Sequence, residues 1–302
     1  MPNLKISIPA DFYQEEVRCD FTVTTERKQL WAVQLDLLSE LLSVCKKHGL
    51  RIYPDGGTLL GAVRHQGFIP WDDDIDMMMP RNDYQQLCQL AATEFQHPYF
   101  FQTEQTDPGC LLGHAQLHNS ETSMFTEKRL QRYNFNMGIW IDIFPFDNVP
   151  DDMSERQKFL QHLRRLKHRA HWYAKFYSRY RVAPWPLRPF QTLYRGALHL
   201  FRKTNVWYDH FEQEAQRYNN IPTRQWAAVS FRPTKTKSFY DIALFDDTVE
   251  LPFEFFSLTA PRQSEILLET MYGDWRKLVK GASIHGSDLF IDTEHSYKEY
   301  KK

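Results

Sequence analysis

The sequence predicts an α/β fold of the α+β kind, in which helices flank a mixed sheet and a basic helical segment is inserted. Short runs rich in Ile, Met and aromatic residues alternate with segments of helical periodicity. Hydrophobic residues make up 42% and aromatic residues 15% of the 302 positions, which suffices for a large core. From residue 156 to residue 181 every charged side chain is basic, which distinguishes this stretch from the rest of the chain.

The first half of the chain contains most of the predicted strands. Residues 1–24 are expected to form an extended arm, and apolar residues at helical spacing predict a helix from Glu26 to Lys47, closed by Gly49. Pro80 is expected to end one strand, and Pro145 to stop another in the apolar run that begins at residue 138. The remaining elements of this half are strands at 50–53, 75–79, 99–104 and 111–119 and helices at 58–67 and 81–95.

The second half is predicted to be mainly helical before it returns to the sheet. A long helix covers residues 153–181, with Ser154 and Gln157 as a capping box, and a final helix starts near Pro261. Two shorter helices are expected between them, near 190–202 and 205–219. The predicted organisation is therefore an arm at 1–24, a core at 25–150, a basic helical insertion at 151–220 and a C-terminal segment completing the core at 221–302.

The composition argues against several classes of protein. A formal net charge of −1 gives no support for a nucleic-acid partner. We find no apolar run long enough for a transmembrane helix and no signal-peptide core in the opening residues, so we expect a cytoplasmic protein. The four cysteines are widely separated, which favours a reducing compartment over a disulfide scaffold or a zinc site.

A cluster of acids stands directly before the strand at 75–79. Residues two apart in a strand share a face, so Asp74 and Asp76 are expected to project side by side while Ile75 faces the core. Adjacent carboxylates repel each other, and a divalent cation removes that penalty. Asp142 is a third acid, and inside an apolar strand it needs a partner. The pattern predicts a Mg²⁺ or Mn²⁺ site formed by Asp74, Asp76 and Asp142.

A second motif, DGGT, precedes these acids. Gly56 and Gly57 allow the backbone to approach a ligand, and Thr58 is expected to open a helix whose N-terminus attracts phosphate. Glycines, a helix start and then D-x-D on the next strand form the layout of a nucleotidyltransferase-like site. A lone double glycine is usually a turn and a lone D-x-D a solvated loop, whereas their joint occurrence favours the site. Asp72 and Asp73 are explained equally well by loop solvation and by support of the metal ligands.

The stretch DGGTLLGAVRHQGFIPWDDDIDMMMPRNDY, at residues 55–84, resembles the signature of the LicD family of phosphorylcholine transferases, which are related to fukutin-type ribitol-phosphate transferases. GIWIDIFPFDNVPDD and LFDDTVELPFEFFSLTAPRQSEILLETMYGDW also resemble this family, so the similarity runs from Glu26 to His285. The resemblance implies a nucleotidyltransferase-type catalytic core. It also implies a phosphotransferase that moves a phospho-alcohol from a CDP-activated donor to a glycan hydroxyl and releases CMP.

The site residues that the resemblance implies carry over by position. The metal-binding acids of the family correspond to Asp74, Asp76 and Asp142. Its phosphate-approaching turn corresponds to Gly56, Gly57 and Thr58, and a basic residue of the same motif to Arg64. Asp55 and Asp147 also match motif positions, without an assigned role.

The chain departs from the family in two places. Paired histidines often follow the MYGDW stretch in the family, whereas this chain has only His285 there. The cysteine cluster of the fukutin-related branch is also missing, which favours the bacterial side of the family.

The resemblance favours CDP-choline as donor, with ribitol, glycerol or ethanolamine phosphate as alternatives. Choline is held by aromatic rings, and Trp71 and Trp140 beside the acids are the candidates, although core packing is the better explanation of each one taken singly. Asp142 is the candidate general base, with His65, His114 and His118 as further options. The acceptor implied is a cell-surface glycan such as lipopolysaccharide, teichoic acid or capsule, either free or lipid-linked.

The basic segment has several interpretations. The first interpretation is contact with the anionic inner face of the cell membrane, and the second is recognition of a phosphorylated acceptor. The third is that the segment is simply a solvated helix face. Two other functional classes stay open for the whole chain: nucleotidyl transfer that releases diphosphate, and a non-enzymatic helical adaptor. Binding of duplex DNA through this helix is the least favoured interpretation.

Overall fold

Helices surround a sheet in this computed structural model, which describes residues 4–177, 185–187, 189–190, 192–193, 197, 205–234, 238–281 and 288–301. The α-helices with described bounds are α1 (Thr25–His48), α2 (Gly56–His65), α3 (Arg81–Glu94), α4 (Glu127–Arg132), α5 (Met153–Tyr177), α6 (Val206–Ala215) and α7 (Ser264–Tyr272). Short 3₁₀ helices lie at Ala10–Tyr13, Trp185–Leu187 and Ile242–Phe245.

The strands are short except for β8, which has 11 residues. They are β1 (Glu16–Arg18), β2 (Phe21–Val23), β3 (Tyr53–Pro54), β4 (Asp76–Pro80), β5 (Tyr99–Gln102), β6 (Ala115–Asn119), β7 (Ser123–Phe125), β8 (Ile139–Val149), β9 (Gln225–Ala227), β10 (Tyr240–Asp241), β11 (Thr248–Phe253), β12 (Phe256–Pro261) and β13 (Phe290–Asp292).

The long strand β8 is the centre of the main sheet. On one side it pairs in parallel with β4, and on the other it pairs antiparallel with β6 and then with β9. The sheet is extended by β3 beside β4, β5 beside β6 and β10 beside β9. A mixed sheet flanked by helices confirms the predicted α/β fold.

The prediction that Pro145 stops its strand is wrong, because β8 continues through it to Val149. The backbone N–H of Asp142 donates to the carbonyl of Ile75, just before β4, so even-numbered residues of β8 point their N–H groups toward β4 and odd-numbered ones point away. On that far side the pairing of β8 with β6 ends at Ile143, and its pairing with β9 begins at Asp147. Pro145 therefore falls in the gap between two neighbours, where no strand needs its missing N–H.

Helix ends follow local hydrogen-bonding chemistry. Thr24 caps α1 by accepting from the N–H of Arg27, and Gly49 closes it with φ 65° as predicted. Helix α5 starts at Met153, so Ser154 already lies inside it and the predicted capping box at Ser154 is wrong. Asp152 instead accepts from the N–H of Glu155. The last helix starts at Ser264 rather than near Pro261, which ends β12.

The two faces of β4 and β8 bury different cores. Met77 and Ile143 face α1, α3 and the first large apolar cluster. Met78, Phe144 and Phe146 face the opposite side, where they pack in a second cluster with aromatic residues from β9 and β10. The methionine run is thus core on both faces, as alternation in a strand requires.

The basic helix α5 packs against α6 and buries part of its charge. Arg156 and Lys167 turn inward: the Arg156 side chain donates to the carbonyl of Pro150, and Lys167 Nζ donates to three backbone carbonyls. Exposed cations remain on this helix at Lys158, Arg164, Arg165 and Arg169. Arg179 and Arg181 lie outside the described residues, and the predicted domain boundaries remain predictions. None of the described helices is long and apolar enough to cross a membrane.

A buried ion-pair network fixes the far end of β8. Arg81, the first residue of α3, donates to both carboxylate oxygens of Asp147 at 2.7 and 2.6 Å. The same guanidinium donates to Glu212 of α6 at 2.8 Å, and Asn219 donates to Asp147 at 2.8 Å. Asp147, without an assigned role in the sequence, therefore ties the sheet to α3 and to the helical insertion.

Replacing Arg81 with Met is expected to lower the free energy of unfolding by about 3–5 kcal/mol, because the fully buried Asp147 carboxylate loses its cation. Urea unfolding measures this loss. Arg51→Met is the matched control, since it breaks an ion pair with Asp83 at the surface and is expected to cost at most about 1 kcal/mol. The double variant Arg81→Met/Asp147→Leu is expected to recover part of the loss; strict additivity of the two single losses would contradict the network.

Candidate active site

Strand pairing brings the predicted acids together. Asp76 begins β4, and its partner in the parallel register is Asp142 of β8. Asp74 lies in the turn just before β4, and between these two acids Ile75 is completely buried in the core. The three predicted metal ligands therefore lie near one another at the N-terminal end of β4, close enough for their charges to interact.

These carboxylates are in an unusually unfavourable electrostatic environment. Burial and then the neighbouring charges of Asp76 and Asp72 raise the pKa of Asp74 well above its ordinary value. Burial and then the charges of Asp142 and Asp55 do the same for the pKa of Asp76. No ion pair within the described part of the chain includes Asp74 or Asp76. The site thus concentrates negative charge that a bound cation would offset.

A second grouping of acids overlaps the predicted one. Asp72, Asp73 and Asp74 each offer a carboxylate oxygen, and these atoms lie within 4.8 Å of one another. Asp72 lines the same cavity as Asp74 and Asp76, whereas Asp73 lines a separate cavity on the other side of this turn. Asp72 is therefore a candidate ligand that the sequence left undecided.

Asp142 accepts hydrogen bonds from three side chains. Its Oδ1 atom lies 2.8 Å from both His114 Nε2 and Gln116 Nε2, and its Oδ2 accepts from Trp140 Nε1 at 3.2 Å. His114 and Gln116 stand at alternate positions leading into β6, which pairs with β8 directly opposite Asp142. Trp140 thus orients Asp142 through this hydrogen bond, and it is not among the described residues that line the cavity. This alternation, HAQLH opposite WIDIF, is a signal that the sequence contained.

The start of α2 is shaped to fit these acids. Gly56 has φ +52°, and a Cβ atom there would lie 3.1 Å from Asp76 Oδ2. A Cβ atom at Gly57 would lie 2.4 Å from Asp72 Oδ2, a clash. The two glycines therefore let the carboxylates approach the helix N-terminus. Thr58 supports the strand behind them, since its Oγ1 accepts from the N–H of Asp76 at 2.8 Å.

Asp55 is the N-cap residue of α2. Burial raises the pKa of its carboxyl to about 6, although the Tyr240 hydroxyl donates to it at 3.2 Å. Asp55 adds a further acid to the same cavity wall.

A cavity of about 630 Å³ opens over the acids, within the range of ~300–1,000 Å³ that is common for ligand sites. The predicted Trp71 lines it, together with Gly56, Gly57, Asp74 and Asp76. Its other walls are aromatic or basic, and they come mainly from segments that the sequence analysis did not assign to the site: Phe144, Phe146, Phe231, Arg232, Tyr272, Trp275 and Lys277. Tyr272 and Trp275 both belong to the MYGDW stretch, and this motif is the sequence signal that could have identified them as site residues.

Arg64 lines the cavity but serves another purpose as well. Its Nη1 atom donates to the carbonyls of Trp275 and Lys277, at 2.6 and 3.3 Å, and its Nε donates to His65. These bonds hold the C-terminal wall of the cavity against α2. His285, the remaining predicted binding residue, lies outside the described residues.

The candidate histidine bases differ in position. His114 contacts Asp142 directly, whereas His65 lies at the end of α2 and accepts from Arg64. His118 is completely buried one strand away, and burial lowers its pKa to about 3. The structure therefore brings only His114, of these three, into contact with a predicted site acid.

Part of the chain is similar to known proteins. Residues 49–185 match the family model described as LicD/FKTN/FKRP, nucleotidyltransferase domain. Over these residues the chain is similar to the LicD family. The match includes all three predicted metal ligands and confirms the resemblance seen in the sequence, while the aromatic wall from Phe231 to Trp275 lies beyond it.

Two relatives carry names that describe an activity. The lipopolysaccharide cholinephosphotransferase LicD of Haemophilus influenzae is 32% identical over 146 residues, which cover 48% of this chain and 52% of that protein. The ribitol 5-phosphate transferase FKRP of Homo sapiens is 39% identical over 54 residues, covering 18% of this chain and 11% of that protein. An uncharacterized protein of Rickettsia prowazekii, RP689, is 41% identical over 54 residues, covering 18% of this chain and 20% of that protein. The chain thus spans about half the length of the first of these relatives and less of the others.

If the acids bind Mn²⁺, substituting Gly56 with Ala is expected to weaken that binding, because the new methyl group would lie only 3.1 Å from Asp76 Oδ2 and displace this carboxylate. The matched control is Gly49→Ala, which has a similar φ of +65° but open space around it. Both variants should lose about 1 kcal/mol of stability from backbone strain. Mn²⁺ binding by electron paramagnetic resonance and thermal unfolding measure the two effects. Equal Mn²⁺ binding by both variants would show that close packing at Gly56 does not matter for the acids.

Proposed function

We propose that this chain is a metal-dependent phosphotransferase that moves a phosphorylated alcohol from a CDP-activated donor to a hydroxyl of a cell-surface glycan. The observation that carries the proposal is a pair of carboxylates that have no ion pair among the described residues, the buried Asp74 and the half-buried Asp76, which line a large cavity together with the N-terminus of α2. Similarity to two transferases of phosphorylated alcohols supports the same conclusion.

Mg²⁺ or Mn²⁺ is the cofactor that suits this donor set. Carboxylate oxygens are hard ligands, and the mutual repulsion of Asp74, Asp76 and Asp142 is the condition that a divalent cation relieves. We assign Asp74 and Asp76 as ligands, with Asp142 or Asp72 completing the set. The bound cation would offset the charge of the donor diphosphate during transfer.

The reaction proposed is an in-line displacement at phosphorus. The acceptor hydroxyl attacks the phosphorus that carries the alcohol, a new O–P bond forms, and the O–P bond to CMP breaks. The hydroxyl proton passes to Asp142, which His114, Gln116 and Trp140 hold in a fixed orientation. CMP leaves with the bonding electron pair on its phosphate oxygen, and the N–H groups at the start of α2 are suited to receive donor phosphate.

CDP-choline is the donor that the cavity favours. A quaternary ammonium group offers no hydrogen-bond donor and is held by aromatic faces. Trp71, Tyr272 and Trp275 line the cavity beside the acids, with Phe144, Phe146 and Phe231 on the opposite wall. The match to the Haemophilus cholinephosphotransferase is also much longer than the match to the ribitol-phosphate enzyme. Ribitol, glycerol and ethanolamine phosphate are the alternatives that a direct assay separates.

The proposed acceptor is a glycan such as lipopolysaccharide, teichoic acid or capsule. Exposed Lys158, Arg164, Arg165 and Arg169 on α5 would favour contact with an anionic membrane at the inner face of the cell membrane. Two of the basic residues of α5, Arg156 and Lys167, are engaged inside the protein and do not contribute to such a surface.

The function is tested by the release of CMP from CDP-choline, CDP-ribitol, CDP-glycerol and CDP-ethanolamine, with Mg²⁺ or Mn²⁺ and with EDTA. Metal-dependent release from CDP-choline is expected. The double variant Asp74→Asn/Asp76→Asn should slow it at least about 10³-fold, because the cation and its charge compensation are lost. Asp246→Asn, at an exposed acid, serves as the control and should keep full activity.

The products also separate the competing functions. Diphosphate in place of CMP would indicate nucleotidyl transfer and overturn the proposed reaction. Failure to bind any of the four donors in calorimetry would overturn the donor class. An unchanged rate in the double aspartate variant would exclude the carboxylate site.

A further inference from the structure

Tyr272 is the last residue of α7, and its side chain forms part of the wall of the cavity over the acids. Under the proposed function its ring is one of the aromatic faces that suit choline, whereas its hydroxyl group has no role. A tyrosine differs from a phenylalanine in combining an apolar ring with a polar tip. The surroundings of that tip indicate what the hydroxyl does.

The hydroxyl group lies beside the start of α2. A Cβ atom at Gly56 would be 3.8 Å from Tyr272 Oη and 3.1 Å from Asp76 Oδ2, so the hydroxyl and the carboxylate approach the same glycine. Burial and then the charges of Asp55 and Asp76 raise the pKa of Tyr272, although 45% of the residue is exposed. The hydroxyl is therefore at the point where the acids, the cavity and the N-terminus of α2 meet.

The Tyr272 hydroxyl forms no hydrogen bond with any residue that the structure describes. A second tyrosine nearby shows the difference, since the hydroxyl of Tyr240 donates to Asp55 at 3.2 Å. Tyr272 does not hold a site acid in this way, and its O–H is left to donate to a molecule in the cavity.

The position of this hydroxyl is set by contacts between two helices. Helix α7, which carries Tyr272, packs against α2. Arg64 of α2 also donates to the carbonyl of Trp275 at 2.6 Å, just after the end of α7. Because the same helix provides both the N-terminus beside the hydroxyl and the arginine, the two donors keep a fixed relation to each other.

We propose that the Tyr272 hydroxyl donates a hydrogen bond to a phosphate oxygen of the CDP-activated donor bound at the start of α2. This inference rests on the proposed function and assigns a further substrate-binding residue to it. The N–H groups of a helix N-terminus and the O–H of a tyrosine are both donors that phosphate oxygens accept. Tyr272 would then contact both parts of phosphocholine, the phosphate through its hydroxyl and the quaternary ammonium through its ring.

Binding measured apart from transfer tests the proposal. Tyr272→Phe removes only the hydroxyl, and calorimetry in the presence of Mn²⁺ measures the affinity of the full chain for CDP and for CDP-choline. Both affinities are expected to fall at least about tenfold, because phosphate oxygens of each ligand lose a donor. Mn²⁺ binding without nucleotide, followed by electron paramagnetic resonance, should stay unchanged, and so should the thermal unfolding temperature.

Two variants serve for comparison. Tyr300→Phe also removes a hydroxyl, which donates to Asp292 at 2.6 Å in a residue that does not line the cavity, and it should leave both affinities intact. Tyr272→Leu removes the ring as well. It is expected to weaken the binding of CDP-choline further, while it affects CDP no more than Tyr272→Phe does. An equal further loss for both ligands would overturn the contact of the ring with the head group.

The outcomes separate this inference from the proposed function. Equal binding of CDP and CDP-choline by the unmodified chain and by Tyr272→Phe would overturn the inference and leave the donor class intact. Weaker binding of CDP-choline alone would assign the hydroxyl to the head group and overturn it as well. Loss of Mn²⁺ binding in Tyr272→Phe would show that the hydroxyl supports the acids instead of the phosphate. A chain that binds neither nucleotide would overturn the proposed donor class, and this inference with it.

Discussion

The parallel register of β4 against β8 is the constraint on which the candidate site depends. It places Asp76 beside Asp142 within a sheet whose other positions are almost all apolar. Two neighbouring carboxylates in such a setting are costly unless something compensates for their charge. Three features surround these acids: side-chain donors orient Asp142, glycines let the start of α2 lie close to Asp76, and a cavity of about 630 Å³ opens beside them.

Inward-facing side chains of the helical insertion hold segments that form the site. Lys167 of α5 donates to the carbonyls of Leu112 and Phe231, and so holds the segments that carry His114 and one aromatic wall of the cavity. Arg81 and Asp147 anchor α3 and α6 to the far end of the same strand that carries Asp142. The charges that look like a surface feature in the sequence are thus divided between a solvated face and an interior framework.

The acids and part of the aromatic wall come from different parts of the chain. The acids and the glycines of α2 lie within the residues that match the family, whereas Phe231, Tyr272 and Trp275 lie after them. Under the proposed function, charge compensation of the diphosphate would need the same residue types for any CDP-activated alcohol, while the surrounding wall would contact the head group. On that proposal, the C-terminal segment, which Arg64 holds against α2, would contribute to the recognition of choline.

The sequence by itself determined the mixed α/β fold, the pairing of Asp74 and Asp76 around Ile75, and the glycine turn before them. These features are local, because strand alternation and glycine conformation act over a few residues. The strand that continues through Pro145, the three donors on Asp142, the engagement of Trp140 and the bonds that Arg64 makes to the cavity wall were decided only by the tertiary structure. Each of them depends on which segment lies beside another, and residues far apart in sequence meet there through sheet order and helix packing, which no local pattern records.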